Sequence, residues 1–341
     1  MSAKLCRTIC IFLLTIFVLL AAIVAGAAIG ETPIPFSDFL KTIANQLWHA
    51  GYDIDIFNSR VIWLWRIPRA VVGACCGAGL AMCGVVLQAL LRNPLAEPYL
   101  LGISSGAGAG AAMIVAFGFS VGVLSLSTGA LFGGLLSFLF VILLAYYSGR
   151  NTTAIILAGI ASAMLFNALS ALILMIFTPL EGRANIFSWM IGNLSGARWS
   201  DASLAFPITV LAFLIFLSFS RVLDAFVFGS RSAKSLGISV KYTSIILITT
   251  VALLTAVMVS IMGTISFVGL VVPHAARLIV GIKHRRLIPA SALMGALFLI
   301  AADIISRIII PGIVFPVGIV TALIGAPIFA VLLLRQKGHS S

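Results

Sequence analysis

The chain has 341 residues, of which 62% are hydrophobic and 9% charged, and its mean hydropathy is +1.22. A soluble domain carries about 45–50% apolar and about 25% charged residues, so the polar side chains here cannot cover a water-soluble particle and the bilayer must be the main solvent. The formal net charge is nevertheless +12, from 21 Lys and Arg against 9 Asp and Glu, and where those charges lie decides between a nucleic-acid surface and an asymmetric membrane protein.

A span needs about 20 predominantly apolar residues. Ten segments meet that in chain order: 9–30, 67–91, 100–119, 121–147, 153–177, 202–220, 243–262, 263–281, 287–305 and 317–334. Lys4 and Arg7 precede the first apolar run, as in a signal peptide, but the run exceeds the usual length of about 7–15 residues, and a retained helix is expected. The eighth segment is short and carries Pro273 and His274. It is expected to be broken or re-entrant, with its freed backbone covered by protein. The longest polar stretch is 31–66, and no loop is long enough for a soluble domain.

Many glycines fall inside these segments, among them Gly73, Gly77, Gly79, Gly84, Gly102, Gly106, Gly108 and Gly110. Small residues let helix backbones approach closely in lipid, so the spans are expected to pack against one another as a single transmembrane domain over 1–341. An all-α fold follows. Fourteen of the 21 basic residues fall on the side of the two termini and seven on the other, whereas six acids lie opposite the termini, two lie with them, and Asp303 lies within a span. The positive-inside rule then places both termini in the cytoplasm. The +12 is thus a cytoplasmic-face charge beside lipid, and no nucleic-acid partner is expected.

Cys6, Cys10, Cys75, Cys76 and Cys83 have no zinc-like spacing and read as small apolar fillers. No lysine follows a glycine, so no P-loop is present, and neither His-Glu-x-x-His nor Gly-x-Ser-x-Gly occurs. No catalytic residue, resident cofactor or metal site is expected. An ion-coupled carrier would need more buried acids or histidines than Asp303, which has Arg307 one turn away. An intramembrane enzyme would need a paired catalytic constellation. The remaining reading is a conduit driven by a partner.

Several stretches, in order, resemble the FecCD-type permease subunit of bacterial ABC importers: RIPR (66–69), GVVLQALLRNPLAEP (84–98), LGISSG (101–106), LAG (157–159), WMIG (189–192), FVGLVVPH (267–274) and PVGIVTALIGAP (316–327). The resemblance covers nearly the whole chain. It implies ten helices in a bacterial inner membrane; five helices inserted twice have opposite topology, so an inverted five-plus-five repeat is expected. It also implies a complex with a second permease subunit (an identical copy is the expectation), two cytoplasmic ATPases that bind ATP and Mg, and an external substrate-binding protein. The cargo implied is an iron complex, a ferric siderophore or haem, with cobalamin or an oxyanion such as molybdate as the alternative.

The resemblance also assigns residues. Gly229, Ser230, Arg231, Ser232, Ala233, Lys234, Leu236 and Gly237 correspond to the ATPase-coupling loop, two short helices in which Ala233 and Leu236 are expected to form one apolar face. The family often has an acid where this chain has Ser230. Asn93, Leu95, Thr152 and Thr153 correspond to the cytoplasmic gate. Arg66, Arg69 and Arg307 correspond to binding-protein docking, although the acid common before Pro316 is here Phe315. The translocation pathway maps to the fifth span, where the stripe from Thr153 gives Ile160, Met164, Asn167 and Ala171.

Overall fold

The computed structural model describes residues 3–118, 125–149, 152–310 and 312–337. The elements in order are α1 (Ala3–Ala28), α2 (Phe36–Trp48), α3 (Ile56–Val61), a π-helical turn (Ile62–Arg66), α4 (Ile67–Leu91), a 3-10 turn (Pro98–Leu101), α5 (Ile103–Ala116), α6 (Leu126–Tyr147), α7 (Thr152–Phe177), α8 (Leu180–Met190), α9 (Trp199–Ser218), α10 (Ser220–Val227), α11 (Ser230–Ser235), α12 (Val240–Met262), α13 (Val268–Val280), α14 (His284–Ile308) and α15 (Val317–Lys337). Helices satisfy every backbone group internally, which is what an apolar solvent demands. Among the described residues, six stretches are long and apolar enough to cross a membrane: Ile56–Leu91, α6, α7, α9, α12 and α14. Shorter apolar helices at Leu13–Ala28, Ile103–Ala116, Val268–Val280 and Val317–Val331 occupy the other expected positions. The expected segments 100–119 and 121–147 meet at residues 119–124, which lie outside the described residues.

The centre of the bundle is α4, buried almost throughout among α9, α12, α13 and α14. Glycine makes this possible at the closest crossings. A Cβ on Gly84 would come 1.8 Å from the carbonyl oxygen of Gly269, and one on Gly77 2.1 Å from that of Gly295. Cys75, Cys76 and Cys83 are buried free thiols in this core; the side chains of Cys6 and Cys10 lie outside the described residues.

Two prolines reshape the helices in readable ways. Pro68 has no N–H to offer the carbonyl four residues back, and just before it the Ile67 N–H reaches five residues back to Ile62, making the π-helical turn. The eighth expected segment is interrupted, but not at Pro273 as anticipated. The break is the loop at 263–267, and Pro273 lies inside α13. The reason is local: the Gly269 carbonyl, which a proline at 273 leaves without its helical donor, accepts from Gln88 Nε2 at 3.3 Å.

The half-length helices α5 and α13 are built alike. Each starts from a residue with left-handed backbone, Gly102 and Phe267, both at φ +71°. Their entry loops meet at the middle of the bundle. Tyr99 Oη donates to the Ile265 carbonyl at 2.9 Å and accepts from the Ile265 N–H at 2.8 Å. Leu100 packs against α7, where a Cβ on Gly159 would come 1.8 Å from its carbonyl oxygen. The non-helical backbone is therefore covered by protein, as the bilayer requires.

Candidate functional site

The described chain has two polar regions at opposite ends of the bundle. At the end where α1 finishes, Arg66, Arg69 and Arg307 converge on the corner of α1, α4 and α14. Asp303 Oδ1 receives Arg69 Nε at 2.8 Å, and Oδ2 lies 2.9 Å from Arg307 Nη2. Arg307 also donates to the carbonyls of Ile29 at 2.6 Å and Gly26 at 2.8 Å, and Arg66 donates to those of Ala28 at 3.0 Å and of Thr32. The carbonyls of Gly26 and Ala28 belong to the last turn of α1 and those of Ile29 and Thr32 follow it; at such a helix end orphan acceptors and the dipole favour cations. Arg69 adds Ser195 Oγ at 3.3 Å.

Arg66, Asp303 and Arg307 are buried, and Arg69 nearly so. The three arginines thus come together, but as an internal clamp rather than as the free guanidinium groups expected for a docking surface. Asp303 is a paired structural acid, consistent with its Arg307 neighbour in sequence.

At the other end, α10 and α11 are two short helices separated by Gly229 at φ +108° and closed by Gly237 at φ +78°. Arg231, Ser232, Lys234 and Leu236 are exposed; the Ser230 side chain lies outside the described residues. The expected apolar face is corrected: Ala233 is fully buried while Leu236 is 72% exposed. The Ala233 carbonyl accepts the N–H groups of Leu236 and Ile238, turning the chain so that position 236 points away. Val227, Phe228 and Leu236 are exposed apolar groups on or beside these two helices.

What anchors α10 was not visible in the loop. Asp224 Oδ1 accepts the backbone N–H of His284 at 2.9 Å and lies 2.6 Å from its Nδ1, joining α10 to the first turn of α14. The available signal was that Asp224 is one of two acids on this strongly basic side. Arg92, in left-handed conformation at the end of α4, lies over the Gly229 turn, 3.3 Å from where a Cβ would stand.

Of the four residues expected at a gate, Asn93 and Leu95 lie in the turn after α4 and Thr152 and Thr153 at the start of α7. Asn93 Oδ1 accepts the Leu95 N–H at 2.9 Å and braces the turn; Pro94, between them, lines a cleft with Arg92, Val227 and His284. Thr152 and Thr153 open α7, and Thr153 lines a separate cleft with Leu144 and Leu157. On α7, Ile160, Met164, Asn167 and Ala171 all lie on the exposed side. That helix is the least buried of the six long apolar ones.

Four similarities to known proteins bear on this arrangement. The chain matches the FecCD transport family over residues 15–335. It is 36% identical to the Fe(3+) dicitrate transport system permease protein FecD of Escherichia coli, across 95% of this chain and 99% of that one. It is 41% identical to the cobalamin import system permease protein BtuC of Halobacterium salinarum, across 80% and 73%. A solved metal-chelate-type ABC transporter in an inward-facing conformation superposes with a TM-score of 0.81 at 30% identity, covering 95% of this chain and 99% of that one.

Proposed function

The chain belongs to the FecCD transport family and is an ABC-importer permease, and from that premise we propose that it carries an iron complex, a ferric siderophore or haem, from the exterior into the cytoplasm. The observation that carries this reading is the full-length similarity to a ferric dicitrate permease. Cobalamin is the second reading, supported by the similarity to BtuC; an oxyanion such as molybdate is the third. The work comes from ATP hydrolysis in two partner ATPases. The chain itself performs no chemistry.

The basic end of the bundle is cytoplasmic by the positive-inside rule, with both termini there and ten spans between. In this reading α5 and α13 are equivalent members of an inverted repeat. The exposed stripe of α7 lines a pathway completed by a second copy of the chain. Asn93, Leu95, Thr152 and Thr153 narrow its cytoplasmic mouth. The ATPases grip α10 and α11, and Asp224–His284 passes their motion to α14. A substrate-binding protein docks at the opposite end, where Arg66, Arg69 and Arg307 hold the corner in shape rather than touching the partner.

The test is uptake. Cells expressing the chain with its ATPase and binding protein are offered labelled ferric siderophore, haem, cobalamin or molybdate. Accumulation of an iron complex alone is expected; accumulation of cobalamin or molybdate instead replaces the cargo assignment.

A further inference from the structure

A cleft of about 330 Å³ opens at the basic end between α4, α10, α13 and α14, lined by Gln88, Ala89, Arg92, Pro94, Val227, Arg277, Ile282 and His284. Apart from His284, none of its polar groups is used by the transport roles above. We propose that it binds the headgroup phosphate of an anionic phospholipid from the leaflet on this side, placing a lipid against the coupling turn.

The charge balance calls for an anion. Arg92 and Arg277 both line the cleft, and the nearby carboxylate of Asp224 is already engaged by the N–H and ring of His284. Arg277 is held in place because one of its Nη atoms donates to Gln88 Oε1, while Gln88 Nε2 is occupied by the Gly269 carbonyl. One guanidinium is thus pre-positioned in the wall, and a second stands at the mouth on the exposed end of α4. A phosphate accepts from such a pair with charge-assisted hydrogen bonds.

The rest of the cleft selects a lipid over a free ion. Ala89, Pro94, Val227 and Ile282 make half the lining apolar. Beyond it, Leu278 and Ile279 on α13 are 76% and 72% exposed, and Ile282 at the cleft is 72% exposed, offering apolar surface to acyl chains. Basic pockets between spans on the cytoplasmic side suit anionic headgroups. Because Arg92 also lies over Gly229, the same guanidinium would touch both lipid and coupling turn.

The experiment is native mass spectrometry of the purified full chain in detergent, titrated with phosphatidylglycerol, phosphatidylcholine or inorganic phosphate. Preferential retention of phosphatidylglycerol is expected, with retention falling about fivefold in Arg92→Gln and again in Arg277→Gln. Arg285→Gln, at the same end but outside the cleft, should leave the preference intact. Arg92 is exposed, so its variant carries the test if Arg277→Gln does not fold. Equal retention of the two lipids, or an undiminished preference in Arg92→Gln, overturns the proposal. So does displacement of the lipid by inorganic phosphate, which assigns the cleft to a free anion, or by bound ATPase, which assigns it to that partner. Because no transport is measured, failure here leaves the importer assignment standing.

Discussion

Asp224 on α10 holds His284 at the start of α14 through two contacts on one carboxylate oxygen, 2.9 Å to the backbone N–H and 2.6 Å to Nδ1. The helix so anchored runs to Ile308 and carries Asp303 and Arg307 in its last turns. One helix therefore links α10 to the clamp at the opposite end of the bundle. Asp224→Ala removes both contacts and strands a buried imidazole, costing about 1–3 kcal/mol. In proteoliposomes containing the ATPase and binding protein, the cargo moved per ATP hydrolysed is expected to fall while hydrolysis persists. An unchanged ratio would show that force does not pass through this pair.

Gly237→Leu tests the proposed coupling role at the turn that closes α11. Nothing stands within 4 Å of a Cβ there, so the cost is the backbone at φ +78° alone, about 1–2 kcal/mol for a residue with a Cβ. The bundle should stay folded while the α11 turn shifts. Hydrolysis without uptake is expected, and normal uptake counts against the assignment.

The Arg69–Asp303–Arg307 clamp predicts a stability effect. Removing one partner of a buried ion pair costs about 3–5 kcal/mol, because the remaining charge is left uncompensated. Asp303→Asn should lower the unfolding temperature of the purified chain. Adding Arg69→Gln to it should cost less than the sum of the single changes, since the second removes a charge the first left unpaired. Strict additivity would mean that the pair is not coupled. Reversal of Arg66 and Arg69 to Glu is expected to deplete folded protein before any docking is measured.

This clamp also shows where legibility in the sequence ended. The apolar helices were legible because an apolar solvent leaves long uncharged runs, and every expected segment contains a helix. Arg69 and Asp303 are 234 positions apart, and no local pattern pairs them. Outward arginines looked available for a partner, whereas burial and the orphan carbonyls of α1 claim them. The break near α13 was anticipated from Pro273, yet a glutamine on another helix repairs that site and the loop at 263–267 supplies the interruption. Ala233 and Leu236 were grouped by helical spacing, which fails where a helix ends between them. The anchor of α10 was missed because its partner, His284, lies 60 residues onward.

Close packing makes a sharper prediction at Gly84. Its Cβ would stand 1.8 Å from a backbone oxygen, whereas one on Gly196 meets nothing within 4 Å. Gly84→Ala should reduce the yield of folded, monodisperse protein severely, because backbone against backbone cannot yield without separating α4 from α13. Gly196→Ala should be close to wild type. Equal yields from the two would contradict the crossing.

The most direct test of the central claim is the energy source for uptake by the chain reconstituted with its ATPase and binding protein. The account predicts that an iron complex accumulates only when all components are present and ATP is hydrolysed, and that an ATPase unable to hydrolyse abolishes it. Accumulation driven by a proton or sodium gradient in vesicles holding this chain alone would contradict it and make the protein a secondary carrier.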